Sequence, residues 1–364
     1  MNWMRGLLAS FASVLLFSVG TAPIATAAES PPALAGTVTS AEEGAMEGVL
    51  VSAKKSGSNI TITVVSDRDG RFSFPATKTS PGRYALSIRA TGYLLDGPAS
   101  ADIAAQKNAL LELKLRRTQD ISTQLTNTEW FMSMPGSAEQ KRPLIECMSC
   151  HTFERIVRSK YNAQEFFGVM NRMANYANNT TMARIQPRVA ERKPNEELAR
   201  KLAEYLATVN LSKSATWNYE LKTLPRPSGR ATRVVITEYD LPRRSIAPHD
   251  VRTDAQGNVW YSNFVENFLG RLDPKSGAHS EFAYPVQKPG FPTGSLALEV
   301  DRDGNYWLAA MFQTGLVKFN TKTRKFQSFP LPAEMNANTA QQSMVMPGGA
   351  HIDGKVWKIG RAHV

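Results

Sequence analysis

The stretch Asp254-Ala255-Gln256-Gly257-Asn258-Val259-Trp260 recurs as Asp301-Arg302-Asp303-Gly304-Asn305-Tyr306-Trp307, and begins again at Asp353-Gly354-Lys355-Val356-Trp357. Its tryptophans are 47 and 50 residues apart. A second motif keeps the same beat: Gly270-Arg271-Leu272-Asp273-Pro274 returns 45 residues later as Gly315-Leu316-Val317-Lys318-Phe319-Asn320. Each Asp…Gly-Asn turn leads into an aromatic strand. A turn before an aromatic strand, repeated every 40 to 50 residues or so, is the pattern of β-propeller blades. Residues 233–358 are therefore expected to form two blades and the start of a third.

Upstream, the chemistry concentrates in Cys147-Met148-Ser149-Cys150-His151, which holds the only two cysteines of the chain. Two cysteines are too few for a disulfide scaffold, and zinc would need two further ligands. A thioredoxin-like pair wants a strand–helix context that is absent here. A structural disulfide is the plain alternative. The C-x-x-C-H spacing is that of c-type haem attachment: two thiols one helical turn apart can add to the two haem vinyl groups, while the adjacent imidazole reaches the iron. One covalent haem c is expected on Cys147 and Cys150, with His151 as proximal ligand. Met170, Met173 and Met182 are candidates for the distal position, a thioether being the natural partner for iron that only moves electrons.

The surrounding block, 141–213, carries helical patterns at 163–177 and 195–209, where Leu198, Leu202, Tyr205, Leu206 and Val209 recur at helical spacing. The segment resembles the small cytochrome c domains of periplasmic dehydrogenases, in which C-x-x-C-H is followed by a helix bearing a late Arg-Met pair, here Arg172-Met173. That resemblance implies an all-α cytochrome c-like domain and puts Met173 first, with Met182 second as the loop methionine before the last helix. His249, His279, His351 and His363 lie outside the block and are read as surface or strand residues.

Between Leu34 and Arg117 the text alternates like strands: Ile60-Thr61-Ile62-Thr63-Val64-Val65, Arg71-Phe72-Ser73-Phe74 and Tyr84-Ala85-Leu86-Ser87-Ile88 are divided by turns such as Asp69-Gly70 and Pro81-Gly82. Residues 28–117 are thus expected to form a small all-β sandwich. The runs Gly36-Thr37-Val38, Gly48-Val49-Leu50-Val51, Ser66 to Phe72 and Pro81-Gly82-Arg83-Tyr84, ending in Ala90-Thr91-Gly92-Tyr93, resemble the carboxypeptidase regulatory-like, prealbumin-like module. The resemblance implies a structural or interaction role. Polar and Pro/Gly-rich stretches at 118–140 and 214–232 read as linkers.

Residues 1–27 show a basic start at Arg5, an apolar run and the small residues Ala25-Thr26-Ala27, the pattern of a cleaved Sec signal. Periplasmic or secreted localisation is expected, with no membrane span in the mature chain. At the other end, 359–364 (Ile-Gly-Arg-Ala-His-Val) matches a translated sequencing adapter, and the natural protein is expected to be longer.

The 364 residues carry a net charge of +11. Residues 141–230 hold 16 Lys and Arg against 8 Asp and Glu, so most of the excess sits around the cysteine motif. Such a surface can steer an acidic redox partner. A nucleic-acid partner is not expected, since no recognition motif accompanies the charge. The propeller repeats resemble those of the streptogramin (virginiamycin B) lyase family, which implies a fold and leaves the chemistry open. Electron transfer is the leading expectation, with the propeller serving substrate or partner binding. A lyase or dehydrogenase with its active site in further blades, and a non-catalytic scaffold, are the alternatives.

Overall fold

The computed structural model describes residues 33–104, 109–313, 315–332, 334, 336, 345–347 and 358–360. The signal segment, the third tryptophan repeat, His351, His363 and most of the adapter-like tail lie outside them. No helix among the described residues is long and apolar enough to cross a membrane.

The N-terminal unit contains β1 (Leu34–Ser40), β2 (Gly44–Ala45), β3 (Leu50–Lys55), β4 (Ile60–Val65), β5 (Arg71–Phe74), β6 (Gly82–Arg89), β7 (Tyr93–Leu95), β8 (Ser100–Ile103) and β9 (Ala109–Arg117). Strands β2-β1-β9-β7 form one sheet, with β5 also on β1, and β4-β3-β6-β8 run through the other. Alternation decides the faces: Phe72 and Phe74 point inward from β5 while Arg71 and Ser73 face water. Their rings meet Leu34, Val38, Met46 and Leu113 in one core between the sheets. At the β4–β5 turn the Asp67 carboxylate accepts from the amides of Asp69 and Arg71, both at 2.9 Å.

The fifth strand of the second sheet comes from far along the chain. β10 (Val235–Tyr239) pairs antiparallel with β4, from Val235 opposite Val64 to Tyr239 opposite Ile60. Sequence reading places residue 233 onward in the propeller; the structure puts this run on the sandwich. Without it the apolar, β-branched β4 would be an open edge.

Between β9 and β10 lie α1 (Asn127–Ser133), α2 (Ala138–Lys141), α3 (Leu144–Cys147), α4 (Phe153–Val157), α5 (Ala163–Met173) and α6 (Glu196–Val209). The expected all-α cytochrome c-like domain is corrected here. The described residues are mainly strand, 33% against 18% helix, and no all-α domain of that kind is among them. Only α5 and α6 exceed two turns, with 11 and 14 residues. Residues 174–195 hold isolated bridges, Tyr176 with Pro187 and Thr181 with Arg184, in place of a helix. Asn178, Asn179, Pro187 and Pro194 disfavour helix there.

The two supposed linkers are structured as well. A Thr126–Glu129 capping box starts α1, and Trp130 on that helix is fully buried. Trp217, Tyr219 and Leu221 pack on the same helical core, and the Trp217 indole donates to the Val157 carbonyl at 3.1 Å.

Two four-stranded antiparallel sheets follow. One is β11 (Pro248–Thr253), β12 (Val259–Asn263), β13 (Phe268–Leu272) and β14 (His279–Ala283); the next is β15 (Leu298–Val300), β16 (Tyr306–Ala310), β17 (Gly315–Asn320) and β18 (Lys325–Pro330). β19 (Val345–Pro347) and β20 (Lys358–Gly360) form a further pair. The repeated aspartates explain the motif. Asp301 accepts from the Asn305 amide at 2.9 Å and from the Trp307 indole at 2.8 Å, and Asp254 does the same with Asn258 and Trp260, both at 2.9 Å. Trp260 then stacks on Tyr306 of the neighbouring sheet, ring centres 4.7 Å apart.

Candidate functional site

The cysteine motif starts on a short helix and ends in the turn before the next. Cys147 closes α3 and packs on the helical core with Leu144, Phe153 and Met148. Burial pushes its thiol up to about 11, with Cys150 and Glu146 adding to the effect. At neutral pH it is an uncharged thiol. Cys150 is half-buried, with Ser149 Oγ 3.6 Å from its sulfur, and the two cysteines are unbridged.

His151 is half-buried, and its Nδ1 lies 3.1 Å from the Thr152 carbonyl oxygen. A carbonyl only accepts, so Nδ1 is the donor in this contact, and Nε2 is the ring nitrogen left to face a ligand. That arrangement is the one an iron-binding imidazole requires. Two unbridged cysteines, an imidazole held through Nδ1 and an apolar floor are a donor set that fits covalent haem.

The candidate methionines separate. Met170 packs on the same core as Cys147. Met173 ends α5 and is 39% exposed; Met182 is 49% exposed on the turn closed by Thr181 and Arg184. Ile145, Ile185, Val189 and Leu198 of the same block are also exposed.

The Met182 hairpin is tied to the blade-like sheets. Asn179, fully buried, donates to the Phe264 carbonyl at 3.1 Å and to the Thr293 carbonyl. Gln186 Nε2 donates to the carbonyls of Val265 and Thr293, each at 3.2 Å, while the Thr293 amide donates to Gln186 Oε1 at 2.8 Å. Arg184 reaches Glu266 at 3.5 Å, and Arg243 pairs with both Glu266 and Glu281. Nothing in local sequence pattern announces this docking, because its partners lie about a hundred residues away.

Of the basic residues around the motif, Arg158 pairs with Glu154, Arg200 with Glu196 and Lys201 with Glu197. Arg155, Lys160, Arg172, Arg192 and Lys193 are exposed. On the first blade-like sheet His249 Nδ1 sits 2.8 Å from Asp250 and lies against the Phe264 ring. Among the described residues no three His, Cys, Asp or Glu side chains gather as a metal cluster.

One group missed by sequence reading bears on the motif. Asn127, the first residue of α1, accepts from the Phe153 amide at 2.9 Å. Its signal is the Thr126-Asn127-Thr128-Glu129 capping box, hidden in a stretch whose polarity suggests a linker. Burial raises the Glu129 pKa, but donors from Thr126 and the Leu224 amide outweigh it and hold the carboxyl below its usual range.

Residues 33–116 match the carboxypeptidase regulatory-like domain, so the N-terminal sandwich is of that kind. The chain is distantly similar to virginiamycin B lyase from Staphylococcus aureus, at 19% identity and a TM-score of 0.28, over 35% of this chain and 39% of that one. A streptogramin B lyase structure aligns at 16% identity and 0.27, over 35% and 38%. The extracellular domain of a hybrid two-component system from B. thetaiotaomicron aligns at 15% and 0.20, over 25% and 11%. The chain thus spans about 39% of the length of the lyase it resembles. No curated protein matches it.

Proposed function

We propose that this is an exported electron-transfer protein carrying one haem c, bound through thioethers to Cys147 and Cys150, with His151 as proximal ligand. The observation that carries the reading is how His151 is held: inside a C-x-x-C-H motif, Nδ1 lies 3.1 Å from the Thr152 carbonyl oxygen, which leaves Nε2 as the ligating nitrogen. When bound, the haem supplies a one-electron iron couple. The protein's part is to hold the imidazole, keep apolar side chains against the ring and limit water. Met173 is the first choice for the distal ligand and Met182 the second. Only the local motif and its floor are needed for this, and not an all-α fold, which is absent among the described residues.

The exposed Arg155, Lys160, Arg172, Arg192 and Lys193 favour an acidic redox partner in the periplasm. The blades would bind substrate or partner beside the cysteine block, since the Met182 hairpin is anchored on them. The test is a pyridine haemochrome spectrum of the chain expressed with cytochrome c maturation proteins. One covalent haem per chain is expected, lost in the Cys147→Ala/Cys150→Ala double variant. A denatured parent protein without covalent haem would overturn the proposal.

A further inference from the structure

We infer that Asn127 is a positioning residue for His151, acting through a single peptide group to set the electron richness of the imidazole. The inference rests on the haem reading above and names a residue outside the motif. The Thr152 carbonyl and the Phe153 amide belong to the same peptide plane. One end of that plane accepts from His151 Nδ1 at 3.1 Å, and the other donates to Asn127 Oδ1 at 2.9 Å. A hydrogen bond made at the amide polarises the group and strengthens its carbonyl as an acceptor. A stronger acceptor draws the Nδ1 proton further, which raises the basicity of Nε2. The Asn127–peptide–His151 relay is therefore a control on ligand strength, and a more basic imidazole favours ferric over ferrous iron.

Both ends of the relay are held in place. Phe153 is fully buried and its ring stacks on Phe131 at 6.1 Å, so the Thr152–Phe153 peptide cannot readily swing. Asn127 is fixed by the capping box behind it, where Glu129, 2% exposed, accepts from the Thr126 amide at 2.8 Å and the Leu224 amide at 3.0 Å. This arrangement exceeds what a helix start requires: the cap is made by Thr126, and the Asn127 side chain is free to serve another segment.

Three variants test it: Asn127→Leu removes the acceptor, Asn127→Asp replaces it with a charged one, and Thr128→Asp adds the same charge one residue away on an exposed position. Haem content, reduction potential and the ring-nitrogen NMR shifts of His151 in the apoprotein are measured for each. Asn127→Leu is expected to raise the potential and to mix the His151 tautomers in the apoprotein. Asn127→Asp should lower the potential by more than Thr128→Asp does, with the Nδ1–H tautomer retained. Parental haem loading with Asn127→Asp no different from Thr128→Asp, and tautomers unchanged in Asn127→Leu, would sink the relay and leave the haem reading standing. A parent without covalent haem strikes that reading, while the apoprotein tautomers still decide whether Asn127 positions His151. If Asn127→Leu fails to fold, the comparison of the two aspartate variants remains decisive.

Discussion

Asp301 offers a quantitative test of why the repeated motif reads Asp…Gly-Asn-x-Trp. Its carboxylate is 9% exposed and takes the Asp303 amide at 3.0 Å, the Asn305 amide at 2.9 Å, both arms to Asn305 Nδ2 at 3.0 Å, and the Trp307 indole at 2.8 Å. Burial alone would raise its pKa; the donors, with Lys318 3.4 Å away, outweigh that and bring it from 3.8 down to about 2. Because the folded value is depressed, the stabilisation is present above the unfolded pKa and is lost as pH falls toward the folded one. At about 1.4 kcal/mol per pK unit, the difference is worth about 2 kcal/mol near neutrality. Asp301→Asn removes the charge and one acceptor, so the variant should be about 2 kcal/mol less stable at pH 7. The gap should narrow as pH falls from 4 to 2, roughly the window between the two pKa values. Urea unfolding followed by tryptophan fluorescence across that range measures it, since Trp307 reports on the same turn. A gap that stays constant from pH 7 to 2.5 would refute the charge-based account and leave only side-chain shape.

Other outcomes follow from the same geometry. Met173→Ala in the haem-loaded protein should shift the reduction potential and remove any sulfur-to-iron charge-transfer band; an unchanged spectrum would move the assignment to Met182. Gln186→Ala leaves the Thr293 amide without its acceptor, while the Val265 carbonyl keeps the Thr293 hydroxyl as donor, and should cost about 2 kcal/mol. Hydrogen exchange should then quicken at 177–187 and 293–294, with the sandwich amides unchanged. Gly294→Ala should be worse tolerated than most glycine substitutions, because its φ is +117° and a Cβ would lie 2.1 Å from the Phe264 carbonyl oxygen. Thermal melting measures that loss.

What could be read directly from sequence was chemistry contained within a few residues. Asp254 to Trp260 close their own hydrogen bonds, so the repeat survives as a visible pattern. The alternation of Phe72 and Phe74 with Arg71 and Ser73 is equally local, and so is the spacing of Cys147, Cys150 and His151. The misreadings share a cause in long-range pairing. Val235–Tyr239 has strand character wherever it goes, and only the open edge of β4 assigns it to the sandwich. The polarity of 118–140 suggests a linker because the buried Trp130 and Met134 are outnumbered, although Thr126 and Glu129 mark a helix start. The all-α expectation took two good helices, α5 and α6, as the rule for a block whose middle is a hairpin held by Asn179 and Gln186 on distant loops.

The pairing of β10 with β4 also sets an order of events. A chain is made from its N-terminus, so β4 is complete long before its partner strand exists. During that interval the whole helical block, cysteine motif included, passes through as an insertion between two neighbours in one sheet. The sandwich can finish only when residues 235–239 arrive, and until then it offers an apolar edge to any other strand nearby. Cys147 to His151 have by that time already emerged, ahead of the segment at 217–221 that later packs on their helical core. Under the proposed haem reading, attachment would fall in the window before the block is sealed, timed by the distance along the chain between two strands that end side by side.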